Sequence, residues 1–256
     1  MQPVSDPKPF QFKLWHLFAL VSGTAVVFSF ISFISVRGES NRRRECVGRL
    51  KQLGLALHSY HYAFDCFPPP YVTDAQGKPL YSWRVLILTY AEGTKLWSQW
   101  RFDEPWDSAH NQSLWDELGP PYDCPVARRN RPPGTPQRAD YLAVVGPGMA
   151  WEAGKCLSLH DFADGGSNTI LLVEVRGSQI HWAEPVDVDG TASLKINAPR
   201  GLSIGSHGSG GVNVLFVDGS VVHLPDTTSE EQIKALLTRA GGENVDWLRD
   251  MPVLRK

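Results

Sequence analysis

Between Leu14 and Val36 the chain runs LWHLFALVSGTAVVFSFISFISV, without one Asp, Glu, Lys or Arg. As a helix this run measures about 34 Å, enough for a hydrocarbon core of about 30 Å. It leads straight into RGESNRRRECVGRLKQLGLALHSYHYAFDCFPPP, which keeps a helical pattern up to the prolines. The expected organisation is a tail over 1–13, a membrane-spanning helix over 14–36, an amphipathic stem over 37–67 and a domain over 68–256. The apolar run exceeds the roughly 7–15 residues of a signal-peptide core and lacks a small-x-small cleavage site, so a retained anchor is expected.

In the stem, Leu50, Leu53, Leu57, Tyr60 and Phe64 recur at alternating spacings of three and four, a heptad-like packing seam. Arg49, Lys51, Gln52 and Ser59 fall mainly off it. The seam therefore meets either the globular domain or a second subunit. Phe67-Pro68-Pro69-Pro70 ends the helix, because proline lacks the amide and disfavours helix in the residue before it. Unbroken from Leu14 to Phe64, the helix would span about 75 Å. Gly48 and Gly54 are its weak points.

A formal net charge of −2 leaves no basic footprint for nucleic acid. The Arg42–Arg44 cluster sits just beyond the apolar run, where it suits anionic lipid headgroups. Arginines after the helix oppose Lys8 and Lys13 before it, so charge alone does not orient the span. The four cysteines, Cys46, Cys66, Cys124 and Cys156, form no CxxC pair and do not resemble a zinc site. In an extracytoplasmic domain they allow one or two disulfides; Cys66 with Cys124 is the pairing favoured, with buried free thiols the alternative.

Past the stem, Trp83, Leu86, Ile87 and Tyr90, then Leu96, Trp97 and Trp100, take helical spacing. A further short helix is expected from an Asp107 or Ser108 cap to about Leu118. Trp97, Trp100 and Trp106 read as core rather than as a sugar platform. Arg128–Arg138 reads as a proline-rich loop. Strands follow at Tyr141–Val145, Thr169–Val175, Val212–Val217 and Ser220–Leu224, the last two joined by an Asp218-Gly219 type I′ turn signal. Thr228-x-x-Glu231 is a capping box for a last helix running to Gly241-Gly242. Helices first and strands later give an α+β class: a long N-terminal transmembrane and stem α-helix on an antiparallel β-sheet, with a helical insert.

No motif assembles an active site. Gly201-Leu-Ser203-Ile-Gly205 matches G-x-S-x-G, with Asp218 and His223 in hydrolase order, but neither a strand before the serine nor a helix after it is expected. Gly205–Gly211 lacks the Lys-Ser or Lys-Thr of a P-loop. Asp164, Asp187 and Asp189 are candidate calcium ligands in turns without EF-hand spacing, which Asx-turns also explain. His58 and His61 share a helix face but lack a third ligand, so packing or headgroup contact explains them better. No cofactor is expected.

The string Cys46-Val-Gly-Arg-Leu-Lys-Gln-Leu53-Gly54-Leu-Ala-Leu57-His58-Ser-Tyr60-His61, followed by Phe67-Pro-Pro, resembles the domain of unknown function 1559 family, a large family of planctomycete bacteria. So do Ser82-Trp83-Arg84, Asp103-Glu-Pro-Trp106-Asp-Ser-Ala-His110-Asn111, Cys124-Pro125, Asp164-Gly-Gly-Ser167-Asn168-Thr169-Ile170 and His207-x-Gly-x-x-Val-Asn213-Val-Leu-Phe-Val-Asp218-Gly-Ser. The resemblance implies a pilin-like plan, with the second half of the long helix on an antiparallel sheet. It also implies a cytoplasmic N-terminus in the inner membrane and an extracytoplasmic domain. His207, Asn213 and Asp218 within these motifs are candidate binding residues. The chain departs from the prepilin pattern: residues 10–16 contain no cleavage glycine, and no glutamate lies in the apolar run.

The expected function is that of a membrane-anchored, single-pass structural or interaction protein of the bacterial cell envelope, without catalysis. Its expected partners are the lipid bilayer and either a second copy or an envelope or secretion-type assembly. The alternative is an extracytoplasmic binding module for calcium or a glycan.

Overall fold

A computed structural model of the chain describes residues 41–117, 122–198, 204–206, 208 and 210–251. The chain divides into two compact units, Met1–Asn41 and Arg42–Lys256, and the second holds the sheet and the short helices. The apolar run 14–36 and His207 lie outside the described residues. Among the described residues, no helix is long and apolar enough to cross a membrane.

Residues 41–64 form helix α1. Its seam is a real packing face: Leu50, Leu53 and Leu57 are fully buried, together with Cys46, Val47 and Ala56. Gly54, a weak point when read as helix alone, lies at the closest approach. A methyl there would stand 3.0 Å from Leu215 Cδ1, so the missing side chain lets helix and sheet meet. The seam leaves the domain in the last turn, where Tyr60 is partly buried and Phe64 is 58 % exposed. The helix stops before Asp65, whose φ of 59° is left-handed.

Tyr71–Thr73 (β1) and Pro79–Ser82 (β2) pair antiparallel ahead of the short helices Trp83–Leu86 (α2), Thr94–Gln99 (α3), Ala109–Gln112 (α4) and Pro125–Arg129 (α5). Ser82 and Ser108 cap α2 and α4 with their hydroxyls. Part of the stretch read as a proline-rich loop is thus the end of α5, which starts at Pro125, where the missing amide costs nothing. Trp100 is buried and Trp106 partly so, whereas Trp97 is 40 % exposed.

The main sheet is antiparallel, in the order β3-β5-β7-β8, from Tyr141–Leu142 (β3), Ile170–Glu174 (β5), Gly211–Phe216 (β7) and Val221–Pro225 (β8). Every residue of β5 and β7 is buried, as expected of strands covered on both faces. Val144–Val145 (β4) and Val188–Asp189 (β6) add a short parallel pair. The described fold is therefore mixed α+β around an antiparallel sheet.

Three local expectations are corrected. The β7–β8 turn is not type I′, which needs positive φ at both central residues. Only Gly219 is left-handed (φ 83°), and Gly219 N–H donates to Phe216 O at 3.0 Å, closing a three-residue loop with glycine in its last place. The last helix, Glu230–Ala235 (α6), is capped by Ser229 with Gln232, one residue later than the Thr228/Glu231 box, and ends well before Gly241. Finally, Cys66 is joined to Cys156, not to Cys124. Cys124 lies against Cys46, and the helix between Cys46 and its last residue carries Cys66 about 27 Å away.

Candidate functional site

Four strands place one polar side chain each in a single row across the main sheet. Tyr141 pairs with Glu174, the Val173–Val214 pair sets Glu174 beside Asn213, and Asn213 pairs with His223. Leu215, two residues from Asn213 and so on the same side of β7, faces α1 at Gly54. The row therefore lies under the stem. Asn213 donates to Glu174 from its backbone N–H (3.1 Å) and from Nδ2 (3.0 Å to each oxygen). Its Oδ1 then accepts from His223 Nδ1 at 3.0 Å. Ser206 and Cys46 also lie beside Glu174 and favour its charged form.

Glu174 is wholly buried, and burial pushes its carboxyl above the usual carboxylate range against the pull of these donors. Burial likewise lowers His223, with Arg43 adding repulsion. Above Glu174, Cys46 Sγ stands 2.8 Å from Cys124 Sγ, and Tyr141 OH donates to Cys46 O at 3.4 Å. The row thus joins stem, sheet and α5 through hydrogen bonds, with no reactive group open to solvent among its buried members.

The two glycine-rich motifs meet at the β7–β8 tip. Val217 N–H donates to Thr169 O (2.9 Å), Asp218 N–H to Gly166 O (3.1 Å), and Val217 O contacts His58 Nε2 (2.8 Å). Beside them opens a cleft of about 520 Å³, whose polar lining includes Lys51, Ser167, Asn168, Asp218, Ser220 and Arg249. Its mixed charges and hydroxyls could take a polar ligand.

The candidate residues do not come together. Asp164 accepts the N–H groups of Gly241 (2.7 Å) and Gly242 (3.0 Å) and so ties down the segment after α6. Asp189 accepts from Thr191 N–H and Oγ1, an Asx-turn. Asp187 is buried against Arg84. Asn213 lies in the buried row, and Asp218 accepts Ser220 N–H in the hairpin tip. Among the described residues no group of three His, Cys, Asp or Glu could hold a metal. His61 Nε2 accepts from Leu159 N–H, and both stem histidines pack on Phe67.

Two features escaped the sequence reading. Arg84 is fully buried, bonding Asp187 Oδ1 (2.7 Å) and the carbonyls of Trp182 (2.8 Å), Glu184 (3.0 Å) and Val186 (2.9 Å). Glu174 carried a signal: one carboxylate inside the apolar run ILLVEV.

His181 is also buried, between Trp106, Trp115 and Trp182, and its Nδ1 accepts from Ala183 N–H. Burial, with Arg84 nearby, pushes it down to about 4. Because the unfolded chain binds this proton first, its contribution is complete above about pH 6.5 and is lost as pH falls toward 4. Asp123, pushed up to about 6 by burial, works in the opposite direction over much of this range. The His181 contribution is therefore read as the difference between wild type and His181→Phe in urea unfolding. That difference should shrink by about 3 kcal/mol between pH 7 and 4; a constant difference would refute it.

Residues 37–195 match the sequence model of a family described as protein of unknown function (DUF1559). No curated protein and no solved structure matches the chain.

Proposed function

The chain belongs to the DUF1559 family, and on that premise we propose that it is a membrane-anchored, pilin-like structural or interaction protein of the bacterial cell envelope, without catalysis. The observation that carries this reading is helix α1 laid along an antiparallel sheet through Leu50, Leu53 and Leu57. A stem so embedded can pass force or position from a bilayer to the domain. The apolar run 14–36 has the length of an anchor directly before it. The Cys66–Cys156 disulfide suits an oxidising, extracytoplasmic compartment. Leu55 and Tyr62, 71 % and 90 % exposed on the stem, are available to a second copy or an assembly partner.

Fractionation and intact mass test this. The native protein should stay with the inner membrane through alkaline carbonate washing, with a full-length mass near 28.4 kDa. Protease added outside spheroplasts should remove the domain. Release by carbonate, or a domain protected from external protease, would sink the proposal. A shortened, methylated N-terminus would move filament assembly ahead of tethering.

The cleft beside Asp218 favours a second reading, an extracytoplasmic binding module for a polar ligand such as a glycan. Titrating glycans against the thermal midpoint tests it, since a ligand of the folded state must raise that midpoint, and no shift would remove this reading.

A further inference from the structure

We propose that Cys46 and Cys124 are a site of covalent modification, where a disulfide-bearing oxidant installs a second cross-link between stem and domain. Their sulfurs are 2.8 Å apart, about 0.75 Å beyond a disulfide bond, across 78 residues of sequence. Both thiols are buried, at 3 % and 2 % exposure, so in the folded chain each sulfur's accessible reaction partner is the other.

The surroundings divide the roles. The Cys46 thiol against Cys124 Sγ, and the Ala127 and Val126 amides in the first turn of α5, favour the Cys124 thiolate against the opposing effect of burial. Cys46 faces the buried Glu174 carboxyl, which can receive its proton. The Cys124 thiolate attacks one sulfur of the oxidant, forming a mixed disulfide and releasing a first thiolate. Cys46 gives its proton to Glu174 and attacks the Cys124 sulfur, closing Cys46–Cys124 and expelling a second thiolate. The oxidant disulfide gains two electrons, and the two protons pass to the released thiolates. Burial of both sulfurs places the first exchange during folding, while Cys124 is still open; seating α1 then brings Cys46 against the mixed disulfide and beside Glu174, and the second exchange follows.

The consequence is mechanical. Cys66–Cys156 holds the chain two residues beyond the last helical residue of α1, and Cys46–Cys124 would hold its first described turns. A stem locked at two points about 27 Å apart could not peel from the sheet between them under load.

The test uses the full-length chain in detergent. It is reduced and unfolded, refolded with oxidised glutathione, denatured, treated with N-ethylmaleimide and mapped by peptide mass. Labelled cysteines should fall from four in the reduced chain to none, with Cys46–Cys124 and Cys66–Cys156 peptides linked. Label on both Cys46 and Cys124 beside an intact Cys66–Cys156 link would overturn the proposal, as would Cys124 joined to Cys66. The variant C66A/C156A should still form the Cys46–Cys124 link; if it fails to fold, the wild-type map decides alone. None of these outcomes depends on membrane orientation, so failure here is distinguishable from failure of the envelope reading.

Discussion

Arg84→Met should destabilise the domain by about 3–5 kcal/mol, the cost of leaving a buried charge without its partner. Arg84 and Asp187 side chains are 0 % and 2 % exposed, and the guanidinium serves three carbonyls besides the carboxylate. Methionine keeps the volume and removes every donor. Asp187 would retain only Ala143 N–H (2.9 Å) and Trp83 Nε1 (3.3 Å), both on Oδ1. Removing both charges together, in Arg84→Met with Asp187→Leu, should cost much less than the sum of the single changes, since no orphaned ion remains. Urea unfolding of the four proteins in the cycle checks this; a single-variant loss below about 1 kcal/mol would show that the pair is not buried in solution.

Leu57→Ala and Leu53→Ala should each cost about 2–5 kcal/mol, because each removes a fully buried side chain and leaves a cavity between helix and sheet. Against a total stability of about 5–15 kcal/mol, the double variant approaches unfolding. Leu55→Ala is the control. Leu55 is 71 % exposed on the same helix, and its loss should change stability by less than about 0.5 kcal/mol. If Leu53→Ala left the unfolding midpoint unchanged but dissociated an oligomer, the seam would be a subunit interface instead.

The leucine seam and the buried ion pair hold different parts of the molecule together. The seam attaches the stem to the sheet, whereas the Arg84–Asp187 pair ties α2 to the chain around β6. Neither lies in the cleft at the β7–β8 tip, so both can be changed without altering its polar lining.

What was legible in the sequence is what neighbouring residues write together. The stem helix and its Leu50–Leu57 face, strands β5, β7 and β8, and the Ser108 cap all follow from spacings of two, three or four residues. The family motifs likewise reported the chain's membership without any fold. The Glu174–Asn213–His223 row was not legible, because it depends on the register of three strands at once. The same holds for Arg84 with Asp187, 103 residues apart, and for which cysteine faces which. Even the hairpin turn, foreseen in place, took a type decided by one extra residue in its loop. By itself the sequence determined the local elements and which face each must bury. Only the tertiary structure decided which buried polar groups meet, since a charge taken from water is tolerated only where distant segments bring it a partner.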